Sequence, residues 1–240
     1  MSERFLREEM LLGPAAMEKL KNSHVALLGL GGVGSWCAEA LARSGIGTLT
    51  LLDQDTVSRS NINRQTCALE STLGLSKADV CAARCLDINP DLTVYPMVTR
   101  YESETRDAFW SMHYDYVIDA IDLVACKLDL IQTAVELGVP IISALGTGNK
   151  SDASRLCITD ISKTSGCPLA RVVRKELRKR GIEHHTVVYS PEEALSAEQT
   201  ESPPPGRRSV PGSLVWVPAC AGMLLAEHVV MSLISNPAAE

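Results

Sequence analysis

The chain of 240 residues carries a formal net charge of -6, with 45% hydrophobic and 22% charged side chains. That balance suits one large globular core, and no apolar run in it reads as a bilayer span. The acidic excess excludes a protein that coats nucleic acid, while leaving room for one local basic face. In chain order, the N-terminus (Met1 to Glu9) is charged and mixed, without the apolar stretch of a signal peptide, so a cytoplasmic protein without membrane contact is expected. Residues 25–30 read as a buried strand and 35–44 as a helix ended by Gly45. A strand at 49–53, a polar loop and a helix at 76–89 stopped by Pro90 repeat the unit. Strand 94–98, helix 103–111, strand 116–120, helix 126–137 and strand 141–145 continue it. The alternation predicts a Rossmann-like, doubly wound, mostly parallel α/β sheet. Beyond Gly146, strand 155–161, helix 168–180 and strand 186–189 extend that sheet. Residues 190–212 hold five prolines and four glutamates and are expected to form a mobile crossover. A strand at 214–217 and an apolar helix at 219–234 complete one domain over 1–240.

Gly29, Gly31 and Gly34 fit G-x-G-x-x-G between a strand and a helix, the context in which bare backbone N–H groups and a helix N-terminus receive a phosphate. Asp53 follows at the end of the second strand, where an acid accepts hydrogen bonds from ribose hydroxyls. The loop after it decides between nucleotides. A dinucleotide held by backbone amides needs few cations, whereas a triphosphate losing pyrophosphate develops charge that Arg64, Lys77 and Mg²⁺ would stabilise. The alternative for each cation taken singly is ordinary surface charge. The strand at 116–120 runs into Asp119 and Asp122 at the ligand-binding edge of the sheet. Asp122 is a candidate Mg²⁺ ligand or a helix cap, and Asp119 a buried acid bonded to backbone amides.

These residues resemble the adenylating superfamily shared by ubiquitin-activating enzymes and the bacterial proteins that adenylate sulfur carriers. The resemblance rests on Gly29-x-Gly31-Gly32-x-Gly34, Asp53-x-Asp55, Ser60-Asn61-x-x-Arg64-Gln65, Lys77 and Asp122, with Arg4-Phe5-Leu6-Arg7 similar to an N-terminal arginine motif. It implies ATP and Mg²⁺ as cofactors. Asp53 would bind ribose, and Asn61, Arg64 and Lys77 would grip the phosphates. Asp122 would hold the metal, with Leu123, Asp55 and Ser60 in the same nucleotide site. It also implies a homodimer, in which Arg7 reaches the phosphates, in relatives from the other subunit. The second half lacks the two Cys-x-x-Cys zinc pairs of the sulfur-carrier type. Residues 146–150, 160–164 and 167–177 look instead like the branch that dehydrates threonylcarbamoyladenosine in tRNA, for which a sulfur-transfer protein is a further candidate partner. The alternatives are adenylation of a ubiquitin-like carrier, a non-catalytic adaptor and, weakest, an NAD-linked oxidoreductase.

Six basic residues against one acid between Arg171 and Arg180 agree with phosphate contact, or equally with a solvated helix face. The eight cysteines, spread through predicted elements without a Cys-x-x-Cys pair, read as reduced thiols. Cys167 and Cys220 are expected to be buried and structural, and the pair His184-His185 to be solvent exposed.

Overall fold

The computed structural model describes residues 3–198 and 210–235. Among them, a seven-stranded sheet runs in the order β3-β2-β1-β4-β5-β7-β6. Its strands are β1 (His24–Leu28), β2 (Thr48–Leu52), β3 (Thr93–Met97), β4 (Tyr116–Asp119), β5 (Ile141–Ala144), β6 (Cys157–Asp160) and β7 (Thr186–Tyr189). Neighbours pair in parallel except β6, which lies antiparallel on β7. Pro96, which lacks an N–H, is tolerated because β3 is an edge strand. The helices are α1 (Leu6–Leu12), α2 (Pro14–Lys21), α3 (Gly34–Arg43), α4 (Lys77–Ile88), α5 (Ser103–Trp110), α6 (Val124–Glu136), α7 (Pro168–Lys179) and α8 (Trp216–Ser235). The predicted alternation is thus present, with ends displaced by a residue or two where caps decide them. Ser76, for example, lies outside α4 and accepts a hydrogen bond from the Asp79 N–H at 3.3 Å.

The chain winds outward from β1 through β2 and β3, then returns to β4 on the other flank, so the order reverses between β1 and β4. In such sheets a ligand crevice opens outside the strand carboxyl ends at that reversal. One apolar cluster fills the face covered by α3, α4 and α8, including Leu27, Leu41, Leu51 and Leu225. A second fills the face covered by α5, α6 and α7, including Leu28, Phe109, Ile131 and Val173.

Three expectations are corrected. Residues 214–217 are not a strand, because α8 already begins at Trp216 and the sheet ends on β6 and β3. Cys220 is exposed rather than buried, lying on the outer side of α8 while Val217, Ala221 and Leu225 point inward. Finally, α8 is long and apolar enough by length and composition to cross a membrane, with a mean hydropathy of 1.7. Half of that span is buried against the protein, so it acts as a core helix. Gly222 allows this packing, since a Cβ there would come within 2.4 Å of the Val33 carbonyl oxygen at the start of α3. Of the expected crossover, residues 199–209 lie outside the described residues.

Candidate active site

The glycine turn is built by close approach. Gly29 has φ +90°, and a Cβ there would lie 2.6 Å from the Ala120 carbonyl oxygen beyond β4. Gly34 has no unusual φ, but its Cβ would fall 1.8 Å from the Gly29 carbonyl oxygen. Asp53 ties this turn to β2: its Oδ2 accepts from the Leu30 N–H at 2.6 Å and its Oδ1 from the Asp55 N–H at 2.8 Å. Burial pushes the Asp53 carboxyl above its ordinary pKa, opposed by those two N–H bonds and by the Lys77 charge.

The loop that follows presents cations from a folded base. Asn61 caps its turn by accepting from the Ser58 N–H at 3.1 Å. The Arg64 guanidinium donates to the Ser60 carbonyl at 2.8 Å and to Asn63 Oδ1 at 2.9 Å, while Trp36 on α3 donates to the Arg64 carbonyl at 3.0 Å. Lys77 opens α4 with its ammonium, 7% exposed, 3.0 Å from the Asp55 carboxylate.

A cavity of about 760 Å³ joins these residues to others from β4 and β5. Gly29, Gly31, Gly32, Asp53, Asp55, Asn61, Arg64, Lys77, Asp122 and Leu123 all line it. Three sequence candidates do not. Gly34 lies behind the turn as a packing position, Ser60 serves through its carbonyl on Arg64, and Arg7 sits on α1, away from the cavity of its own chain.

The opposite wall was not assigned from sequence. It comprises the loop after β5, from Gly146 to Lys150, together with Val210 to Ser213 and Cys167. Asn149, at φ 56°, is the one non-glycine with positive φ among the described residues. Its N–H donates to the Gly212 carbonyl at 2.8 Å, its Oδ1 accepts from the Gly212 N–H at 2.6 Å, and its carbonyl accepts from the Leu195 N–H at 2.8 Å. Glu192 braces the same loop, accepting from the N–H groups of Ser151 and Asp152 and from the Ser151 hydroxyl. Those bonds, the Ser151 N–H first, hold the Glu192 carboxyl below its usual pKa. Trp216 at the start of α8 donates to the Ser151 carbonyl at 2.7 Å. Cys167 is buried, as expected, and caps α7.

Behind the cavity lies an ion pair that the sequence reading missed. Asp119 and Lys127 are both fully buried at 2.6 Å, and the ammonium also donates to the Ala144 carbonyl at 3.0 Å. Asp119 Oδ1 accepts from the Ile121 N–H at 3.0 Å, so the expected backbone bond is present alongside an unexpected cation. The eight-residue offset from the end of β4 into α6 was the available signal. His185 departs from expectation in the same region. It is buried and bonded to the Ser143 hydroxyl at 2.7 Å, because it leads directly into β7 beside β5, whereas His184 stays exposed near Asp160.

Burial first, then the Lys127 charge, push the His185 pKa down to about 3. In the unfolded chain the imidazole returns to its ordinary value, so between the two values the unfolded state binds the extra proton. Stability therefore falls as pH drops below roughly 6.5, at up to ~1.4 kcal/mol per pH unit from this group. Urea midpoints near neutrality and about two pH units lower should show a smaller acid loss in His185→Gln than in wild type.

Comparison with known proteins identifies the architecture. The model of the ThiF family matches residues 5–239. The chain belongs to the ThiF family. Among relatives, it is 42% identical over 245 residues to a Bacillus subtilis protein named tRNA threonylcarbamoyladenosine dehydratase, covering 98% of this chain and 96% of that one. The crystal structure of the Escherichia coli tRNA N6-threonylcarbamoyladenosine dehydratase, TcdA, in complex with ATP matches with a TM-score of 0.88 and 34% identity, covering 97% of this chain and 94% of that one. By contrast, the Escherichia coli molybdopterin-synthase adenylyltransferase is 37% identical over only 52% of this chain and 50% of its own length. These two dehydratase-type relatives therefore match this chain along nearly its whole length, and the adenylyltransferase along about half of it.

Proposed function

We propose that this chain is an ATP-dependent tRNA threonylcarbamoyladenosine dehydratase, which adenylates the threonyl carboxylate of the modified adenosine and closes it into a ring. One observation carries the reading: a single cavity connects the glycine turn, Arg64 and Lys77 to a second wall from Gly146 to Lys150, with room for a nucleotide and an acid together. ATP is consumed as a substrate. Backbone N–H groups of the turn and the start of α3 receive its phosphates, Asp53 its ribose, and Arg64 and Lys77 the charge that grows on the departing pyrophosphate. The carboxylate oxygen attacks the α-phosphorus as the bond to pyrophosphate breaks. A carbamoyl group of the same substituent then attacks the activated carbonyl, losing its proton as AMP leaves with that oxygen. The substrate has lost one water.

Asp122 is the proposed Mg²⁺ contact. Among the described residues no cluster of three or more His, Cys, Asp or Glu forms a ready-made metal site. One carboxylate facing a triphosphate suits an ion that keeps several waters and arrives with the nucleotide. On α7, Arg174 is bound to Thr164, and Lys179 and Arg180 to Glu176, while Arg171 and Arg178 remain exposed for tRNA phosphates. A homodimer would supply Arg7 to the partner's phosphates, and a cytoplasmic location is proposed with the tRNA substrate.

Mass spectrometry of nucleosides from tRNA incubated with protein, ATP and Mg²⁺ tests this reading. Loss of one water from threonylcarbamoyladenosine is expected, and an unchanged mass rejects it. Arg64→Ala should lower kcat by about 100-fold or more with the fold intact by circular dichroism.

A further inference from the structure

Lys150 is 97% buried by its 3% relative exposure, and its Nζ has no hydrogen-bond partner among the described residues. The nearby acid does not satisfy it. Glu192 lowers its own energy beside the Lys150 charge, but its two oxygens already accept four bonds from Ser151 and Asp152. Leaving an ammonium without a hydrogen-bond acceptor out of water is costly even with an acid near by, and an entering anion would supply the missing acceptor. Lys150 stands in the wall of the cavity that the glycine turn also lines, in a loop whose backbone is fixed by Asn149, Glu192 and Trp216, so only its side chain is left to turn toward an entering anion. The nucleotide's own anions have Arg64 and Lys77 on their side of the cavity. The second anion that must enter is the acid to be activated.

The geometry points to Lys150 as the receptor for the substrate carboxylate, a role that rests on the proposed carboxylate-adenylating reaction. Its ammonium turns from its buried position to bond one carboxylate oxygen and leaves the other to attack the α-phosphorus. After pyrophosphate has left, the same ammonium remains on the carbonyl oxygen of the mixed anhydride. There it stabilises the negative charge that develops when the ring-closing group attacks and AMP departs. No proton is taken from or given to Lys150 in either step. It is a substrate-binding residue throughout.

The test compares wild type with Lys150→Met and Lys150→Arg, using tRNA that bears threonylcarbamoyladenosine. Lys150→Met should lose at least 100-fold in kcat/KM for tRNA while its ATP affinity by calorimetry stays within twofold. Its melting temperature should change by no more than a few degrees, because the ammonium makes no hydrogen bond and Glu192 keeps its four from Ser151 and Asp152. Lys150→Arg should recover part of the activity. Wild-type-like turnover in Lys150→Met would overturn the assignment. So would an equal loss of ATP affinity, which would place the ammonium on the triphosphate, or a large fall in melting temperature, which would make it structural. If wild-type protein forms AMP only with a carrier protein ending in glycine, the tRNA reading fails, and the same comparison with that carboxylate decides Lys150 separately.

Discussion

Gly34→Ala is expected to abolish nucleotide binding and to lower the melting temperature. On helix propensity alone the change should be neutral or slightly stabilising, since Gly34 is the first residue of α3 and has an ordinary φ. Space decides against it. The new methyl would sit 1.8 Å from the Gly29 carbonyl oxygen and 2.9 Å from its carbon, both backbone atoms of the turn. The turn cannot yield toward β4, because Gly29 already abuts the Ala120 carbonyl. Nor can α3 retreat, because the Gly222 position of α8 rests on its first turn. An ATP affinity lowered about 100-fold or more, with a destabilisation of ~2–3 kcal/mol, follows from a backbone shift at this point. Gly31→Ala is the control. Its Cβ would find only the Gln65 side chain, at 3.8 Å, so the protein should fold normally while a methyl enters the phosphate path. Calorimetric ATP titrations and thermal melts of the two variants should separate them. Equal melting temperatures in both would contradict the clash.

Lys127→Met is expected to be the most destabilising single change behind the cavity. Removing one member of a fully buried pair leaves Asp119 charged and supported only by the Ile121 N–H, at a cost of ~3–5 kcal/mol. For a chain of this size that corresponds to a melting temperature lower by roughly 10 °C. The Ala144 carbonyl loses its donor as well, which loosens the ends of β4 and β5 together. Asp119→Asn combined with Lys127→Met removes both charges and should recover part of the loss. A double variant less stable than Lys127→Met would show that repulsion or desolvation of Asp119 is not the cause. Because Asp122 and Leu123 leave β4 just beyond this pair, activity in Lys127→Met should fall further than its folded fraction explains.

The sheet was legible because its strands are short apolar runs separated by helices with clear caps, and because β1, the glycine turn and α3 form one continuous local signal. The nucleotide side of the cavity was legible in part for the same reason, since the glycine turn, Asp53 and Asp122 directly follow the ends of β1, β2 and β4, whereas Asn61, Arg64 and Lys77 stood out by their residue types in the polar loop and helix start after β2. Roles and positions separated where backbone geometry takes over. Gly34 reads like its neighbours in sequence, yet only its closeness to Gly29 shows that it packs and does not line the cavity. Residues brought together from distant segments were not legible. The burial of His185 depends on which strand neighbours β5, and the bracing of the 146–152 loop by Glu192, Gly212 and Trp216 depends on a chain return that no periodicity announces. The strand expected at 214–217 failed because its continuous apolar run leads straight into a helix whose buried stripe begins at Val217.

Asn149 joins two segments that lie apart in sequence. Through a single residue, three hydrogen bonds fasten both Leu195 and Gly212, so the chain that departs after one and comes back before the other is closed at its neck. The cavity wall therefore depends on a latch one residue wide. Asn149→Ala would lose the Oδ1 bond outright and strain the φ of 56° that aims the two backbone bonds, so it should loosen both segments together. A single residue thus rivets two separate segments to the cavity wall, and one substitution is enough to show whether they move as one piece.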